Sequence, residues 1–372
     1  MKFVADSGLW CTGPTVAAAP AVAVLELSGA VLAWTVDDLA LAPRITFTDV
    51  PAAEWLWRVV GEAGHVAVLA ALREGVPDDD RTVDVPGVEP SGDALAPLRR
   101  LAVGHWLRRW WPASSRDGIV GLDPGVLDGE IALLSAAAQD FFSEDTFDSD
   151  VAELLRWHGA SLVAGAHGDD PRVAELVSAC SELADDLGVA EWPDLVVPIG
   201  PSQRRRDDYA LAAGQEQVRP GASTIASGVG SVNWTAVPPR LFDAADGTVD
   251  WTIEMSGQAA VAAVRVATTA PATGVSIRLR SGALSGVGVL DADGRATLPL
   301  VGAQQQPVTE TQAWDHDWPI TAVIVGADVD DSADSDDAAS VRERIRFFAR
   351  ARLARPGPDA FLAEILAAES DY

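Results

Sequence analysis

Hydrophobic and polar positions change period twice along this chain, and those changes divide it. From Val22 to Thr48 the pattern is strand-like, in the runs AVAVLEL, AVLAWTV and RITFTDV, with Ser28-Gly29 as the turn between the first two. Pro51 opens AAEWLWRVVGEAGHVAVLAALREG, where Trp55, Val59, Val60, Leu69 and Leu72 recur at helical spacing around a loose middle, and VDVPGV adds a short strand. Helical patterning then takes over. Ser91 predicts an N-cap for LAPLRRLAVGHWLRRWW, which Pro112 ends, and Asp123-Pro124 caps a helix running through Ile131 and Leu134 to Phe141. Asp148 or Asp150 is expected to cap VAELLRWHGASLVAGA, and Asp170-Pro171 to start RVAELVSACSELADDLG.

Composition shifts past Trp192, where prolines, an arginine–aspartate run and a Gly/Ser-rich stretch predict a linker. From Asn233 the period is two, with candidate strands NWTAV, VDWTIEMS, AAVAAVRVAT, VSIRLR, SGVGVLD, RATLPLV and ITAVIVG, and a hairpin turn at Asp291–Arg295 in which Gly294 supplies the positive φ. An acidic run follows. Ser340 is expected to cap VRERIRFFARARLA, and Asp359 to cap AFLAEILAAE, whose Phe361, Leu362, Ile365 and Leu366 share a face that must dock somewhere. The expectation is an α+β multidomain protein: residues 1–192 as a short N-terminal β-sheet plus an α-helical domain, 193–232 as a linker, 233–327 as an antiparallel β-sandwich of immunoglobulin-like or transthyretin-like type, 328–339 as an acidic linker, and 340–372 as a helical tail.

Composition narrows the function. Hydrophobic content of 48% with thirteen tryptophans supports real cores. The apolar stretch from Val16 to Trp34 is broken by Pro20 and Glu26, short of the ~20 clean residues of a spanning helix, and Asp6 interrupts any leader-like start, so a soluble cytoplasmic protein is expected. Cys11 and Cys180 make neither a disulfide framework nor a zinc set. A net charge of −28 repels phosphate backbones and anionic membranes, so neither nucleic acid nor membrane is an expected partner. Lys2 is the only lysine, which argues against P-loop enzymes, kinases, Schiff-base enzymes and Ser-x-x-Lys enzymes.

The remaining chemistry is sparse. No HExxH and no i, i+4 histidine pair is present; His158 and His167, with Asp169 and Asp170 beyond, suit a mononuclear metal site or two satisfied surface histidines. The acidic run 328–337 lacks the EF-hand glycine and closing glutamate, so neither metal nor cofactor is expected. Two patterns stand out. Trp314-Asp315-His316-Asp317-Trp318, in the loop before the last strand, suits a ligand-binding clamp or a plug for the sandwich end. The helix Leu98–Trp111 carries Arg99, Arg100, Arg108 and Arg109 beside Trp106, Trp110 and Trp111, the residue types of interface hot spots. With Phe361, Leu362 and Ile365 it makes a candidate partner-binding surface. The alternative is internal, with tryptophans in the core and arginines paired to local carboxylates.

The run VLDADGRATLPL resembles the hairpin of carboxypeptidase-regulatory-like and other small prealbumin-type modules, which implies a rigidifying or binding role. HWLRRWWPAS followed by LDPGVLDGEIALL resembles uncharacterised accessory proteins of GC-rich bacteria, encoded beside MoxR-type AAA ATPases and von Willebrand A-domain proteins in ternary conflict-type systems. That resemblance implies a partner-binding subunit, with such an ATPase or A-domain protein as partner. The expected function is a non-catalytic adaptor that binds other proteins. The alternatives are a hydrolase with a dispersed Asp/Glu/His site, and a ligand-binding β-module using Trp314 and Trp318.

Overall fold

The computed structural model describes residues 1–72, 81–142, 144–165, 170–189, 192, 224–328 and 336–370. They fold as an α+β protein with two antiparallel sheets, each in its own unit. One unit contains the described residues of 1–192, the segment Val237–Ala245 and the C-terminal helices; the other contains 224–236 and Asp246–Asp328.

In the first unit, strands β1 (Lys2–Asp6), β2 (Leu9–Thr12), β3 (Val22–Leu27), β4 (Ala30–Thr35), β5 (Arg44–Phe47) and β6 (Thr82–Asp84) form one sheet in the order β3-β4-β5-β2-β1-β6. One face is apolar, with Phe3 and Phe47 rings 5.9 Å apart. Helix α1 (Leu56–Leu72) starts later than Pro51 predicts, and the loose middle of its pattern is a true break, for Gly61 is non-helical at φ 76 and ψ 162. Helices α2 (Gly92–Trp110), α3 (Pro124–Ala137) and α5 (Pro171–Asp186) are capped by Ser91, Asp123 and Asp170, whose side chains accept first-turn backbone N–H bonds. Helix α4 (Glu144–Gly165) begins before Asp148 and Asp150, which therefore lie inside it.

The C-terminal helices α7 (Asp336–Ala354) and α8 (Leu362–Ser370) belong to this unit, and α7 starts before Ser340. The face of α8 docks on its own chain. Phe361 is fully buried, and its ring fills the gap left by Gly104 of α2, where a Cβ would stand 2.8 Å from Phe361 Cζ. Glu130 of α3 accepts a hydrogen bond from the backbone N–H of Ala363 at 3.3 Å, so one helix supplies the N-terminal acceptor of another. Glu364 is fully buried and is held by both nitrogens of the Arg352 fork, Nη2 at 2.7 Å.

The segment 237–245 was expected within the sandwich, but it packs in the helical unit. Asp243 anchors it, accepting from Ser115 N at 2.9 Å, Ser115 Oγ at 3.0 Å and Ala245 N at 2.9 Å. Burial pushes the Asp243 carboxyl up, but these donors together with Ser114 and Arg116 outweigh it and hold it below the usual carboxylate range.

The second unit contains β7 (Ala226–Gly230), β8 (Val249–Ser256), β9 (Ala259–Val266), β10 (Ser276–Ser281), β11 (Leu284–Val289), β12 (Arg295–Val301) and β13 (Thr321–Val325), in the order β13-β10-β11-β12-β9-β8-β7. The β11–β12 ladder is only two residue pairs long, and the sheet as a whole is sandwich-like. Helix α6 (Glu310–Trp314) precedes β13 and has a complete capping box between Thr309 and Gln312. Two expectations fail here. NWTAV is a turn, because the Asn233 carboxamide oxygen accepts from Thr235 N at 3.0 Å and Thr235 Oγ1 at 2.7 Å. The Gly/Ser stretch assigned to the linker contains strand β7, which pairs with β8 from Ala226↔Ile253 to Gly230↔Val249.

Candidate functional site

The expected partner surface is occupied from within. Arg99 donates to the Leu39 carbonyl at 2.9 Å. Arg100 reaches Glu130 at 3.4 Å and lies 5.2 Å from the Phe361 ring centre. Arg108 donates to Asp128 at 3.0 Å; Arg109 donates to the Val237 carbonyl at 3.2 Å and stacks 4.1 Å from the Trp110 ring centre. Trp106 and Trp111 are buried, their indole N–H groups donating to Pro20 O at 2.7 Å and Val120 O at 2.9 Å. Trp110, Leu362 and Ile365 are half-buried. The residues do converge, but as the hub of the helical unit. Helix α2 is apolar on several sides, with Leu95, Leu98, Leu101, Ala102, Val103 and Leu107 all buried, while the Arg100 and Arg108 side chains keep 38% exposure.

A cluster that sequence reasoning missed lies beside it. Asp128 is 1% exposed; one oxygen accepts from Arg108, and the other lies 2.6 Å from His158 Nδ1, so a single carboxylate joins α2, α3 and α4. Its only trace in the sequence is an acid on an otherwise apolar face of α3, between Leu127 and Ile131. Nearby His105 is held down to about 4, first by burial and then by the charge of Arg108. The clefts of about 720, 480 and 260 Å³ are lined by other residues. His167 and most of the acidic run 328–337 fall outside the described residues. Among the described residues, no three His, Cys, Asp or Glu side chains gather as a metal site. No described helix is long and apolar enough to cross a membrane.

The largest of these three lies on the N-terminal sheet, lined by Lys2, Asp6 and Arg44 among others, and in it Arg44 is already paired with Asp6 at 2.6 Å. The cleft of about 480 Å³ in the β-rich unit is built differently, and it contains the predicted loop. Its floor is aromatic. Trp251 of β8 lies over Gly228 of β7, where a Cβ would stand 2.4 Å from the ring, and Trp318 tilts against Trp251 at 6.5 Å. Trp318 is 6% exposed and donates to Ala313 O at 2.8 Å. Trp314, at the end of α6, is 51% exposed on the cleft wall. The two loop indoles therefore do not form a double platform, and Trp314 alone presents a face.

His316 is fixed edge-on to Trp318 at 4.6 Å, with Nε2 2.8 Å from Ser281 Oγ. Proton counting sets the roles. The Trp318 carbonyl can only accept, so the Thr321 hydroxyl, 2.6 Å away, gives it its one proton. Ser281 Oγ lies 2.9 Å from Thr321 Oγ1 and 2.8 Å from His316 Nε2, so the three side chains form one network. The His316–Ser281 contact ties the loop to β10. Asp315 and Asp317 are exposed at the rim.

Searches against family models, curated proteins and solved structures give no match for this chain.

Proposed function

We propose that the protein is a non-catalytic recognition subunit whose β-rich unit holds a partner protein in the tryptophan-floored cleft, while the helical unit serves as a rigid scaffold. One observation carries the reading: Trp314, 51% exposed, stands on the wall of a cleft whose floor is made by Trp251 and Trp318. Exposed apolar groups gathered at a concavity mark binding sites, whereas the same groups scattered singly do not. The adaptor role expected from the sequence is kept, but its contact surface moves from α2 and α8 to this cleft.

The test is affinity capture from a lysate of the source organism with the full chain, comparing wild type, Trp314→Ala and Trp157→Ala, the last being an exposed tryptophan of α4 in the other unit. Partners lost with Trp314→Ala and kept with Trp157→Ala support the reading. Equal capture by all three proteins sinks it.

A hydrolytic reading draws on the 2.6 Å Asp128–His158 contact, the arrangement that orients a general base. Asp128 is committed to the Arg108 guanidinium and the His158 ring on two other helices, and this favours a structural lock. Turnover of ester or phosphoester substrates that vanishes in Asp128→Asn would reverse that preference.

A further inference from the structure

We propose that the occupant of this cleft is an extended, basic peptide segment that adds to the sheet as a strand along β7. The proposal rests on the cleft reading above and names its ligand. Strand β7 ends the sheet order and pairs on one side only, with β8. Among the described residues, no backbone hydrogen bond joins Ala226–Gly230 to any element other than β8. Ile225 to Val229 line one wall of the cleft without interruption, and the 318–320 turn and β13 approach β7 from the other side. At ~3.3 Å per residue, the strand offers about 16 Å of edge, enough for an extended segment of four or five residues.

Edge strands of soluble proteins are usually blunted by charge, proline or a covering element. β7 has the sequence Ala-Ser-Gly-Val-Gly, with neither charge nor proline. Its glycines also leave the edge thin, so a second backbone can approach closely. The side chains of an added strand would alternate between the Trp251 face of β7 and the opposite face, which carries Val229.

The rim selects charge. Asp317 is the one carboxylate in the cleft lining and Asp315 adjoins it; the lining contains no arginine or lysine. An arginine in the added strand can pair with Asp317 and stack on the half-exposed Trp314 indole. The net charge of −28 steers cationic segments in and repels acidic ones. The same charge opposes a second copy of this chain, because edge-to-edge pairing of two β7 strands would bring two acidic rims together.

The experiment uses the full chain and three synthetic probes: an acetylated hexapeptide alternating valine and arginine, the same peptide with glutamate for arginine, and the arginine peptide N-methylated at alternate amides. Binding is followed by fluorescence anisotropy, with sedimentation velocity in parallel. The arginine peptide should bind; the glutamate peptide and the N-methylated peptide should each bind at least ~10-fold more weakly, and added salt should weaken the arginine peptide. Equal binding of the N-methylated peptide overturns strand addition while leaving the cleft reading intact. Equal binding of the glutamate peptide overturns the basic assignment. Unchanged arginine-peptide binding by Trp314→Ala removes the cleft itself, and no binding of the arginine peptide at millimolar concentration overturns the proposal. Dimerisation of the free protein that Ser227→Pro abolishes would make a second copy the occupant, which also overturns it.

Discussion

Substituting Gly228 by alanine adds one methyl group where the floor of the proposed cleft has no room for it. An ideal Cβ there lies 2.4 Å from Trp251 Cζ2, 2.6 Å from Cε2 and 3.0 Å from Nε1. Ordinary carbon contacts begin near ~3.5 Å, so the indole must retreat by about 1 Å. It is buried, and Trp318 stands tilted against it at 6.5 Å, so the retreat propagates into the cleft. Overpacking of this kind costs about 1–3 kcal/mol, offset by the ~0.4–1 kcal/mol that a Gly-to-Ala change recovers from the unfolded chain.

The same strand provides the control. A Cβ at Gly230 meets only Val249 Cβ, at 3.9 Å, which is ordinary contact, and neither glycine is in the left-handed region. Gly230→Ala should therefore be neutral or stabilising by up to about 1 kcal/mol, and Gly228→Ala net destabilising by about 1–2 kcal/mol. Urea unfolding, followed by near-UV circular dichroism so that the indole environment is read directly, measures both. Gly228→Ala should also weaken the arginine peptide, because Trp251 and Trp318 form the floor beneath it. Equal stability of the two variants would show that Trp251 does not rest on β7, and the account of why a glycine-rich stretch forms a strand would fall with it.

Two further outcomes follow from the helical unit. Arg352→Met strips the fully buried Glu364 of its paired guanidinium; it should cost about 3–5 kcal/mol, most of which Arg352→Met/Glu364→Leu restores, and equal denaturation midpoints for wild type and the single variant would refute the buried pair. His105 sets an acid limit: its imidazole is held down to about 4 from the usual 6.5, first by burial and then by Arg108. The unfolded chain takes up the proton first, so the contribution is intact above pH 6.5 and lost as pH falls towards 4, by up to about 3 kcal/mol. His105→Gln should flatten that stretch of the stability profile measured by urea unfolding from pH 7 to pH 4, and an unchanged slope would show that the site is not desolvated.

Where a structural decision is made by neighbours in sequence, it was readable. Ser91, Asp123 and Asp170 each cap a helix through backbone N–H groups two or three residues on, and the Trp314–Trp318 loop is closed by a bond from Trp318 to Ala313, five residues back. Strand β7 was not readable, because Ala-Ser-Gly-Val-Gly has no strand propensity and becomes a strand only where Trp251, on β8, requires a residue without a side chain beneath it. The arginine–tryptophan helix was illegible for a related reason. A hot-spot surface and an internal hub have the same residue content, and what separates them is where the acceptors lie. For Arg99, Arg109, Trp106 and Trp111 the acceptors are the carbonyls of Leu39, Val237, Pro20 and Val120. A backbone carbonyl belongs to every residue alike, so the acceptors that turn α2 inward leave no mark in the sequence, and only the fold shows that its arginines and tryptophans already have partners.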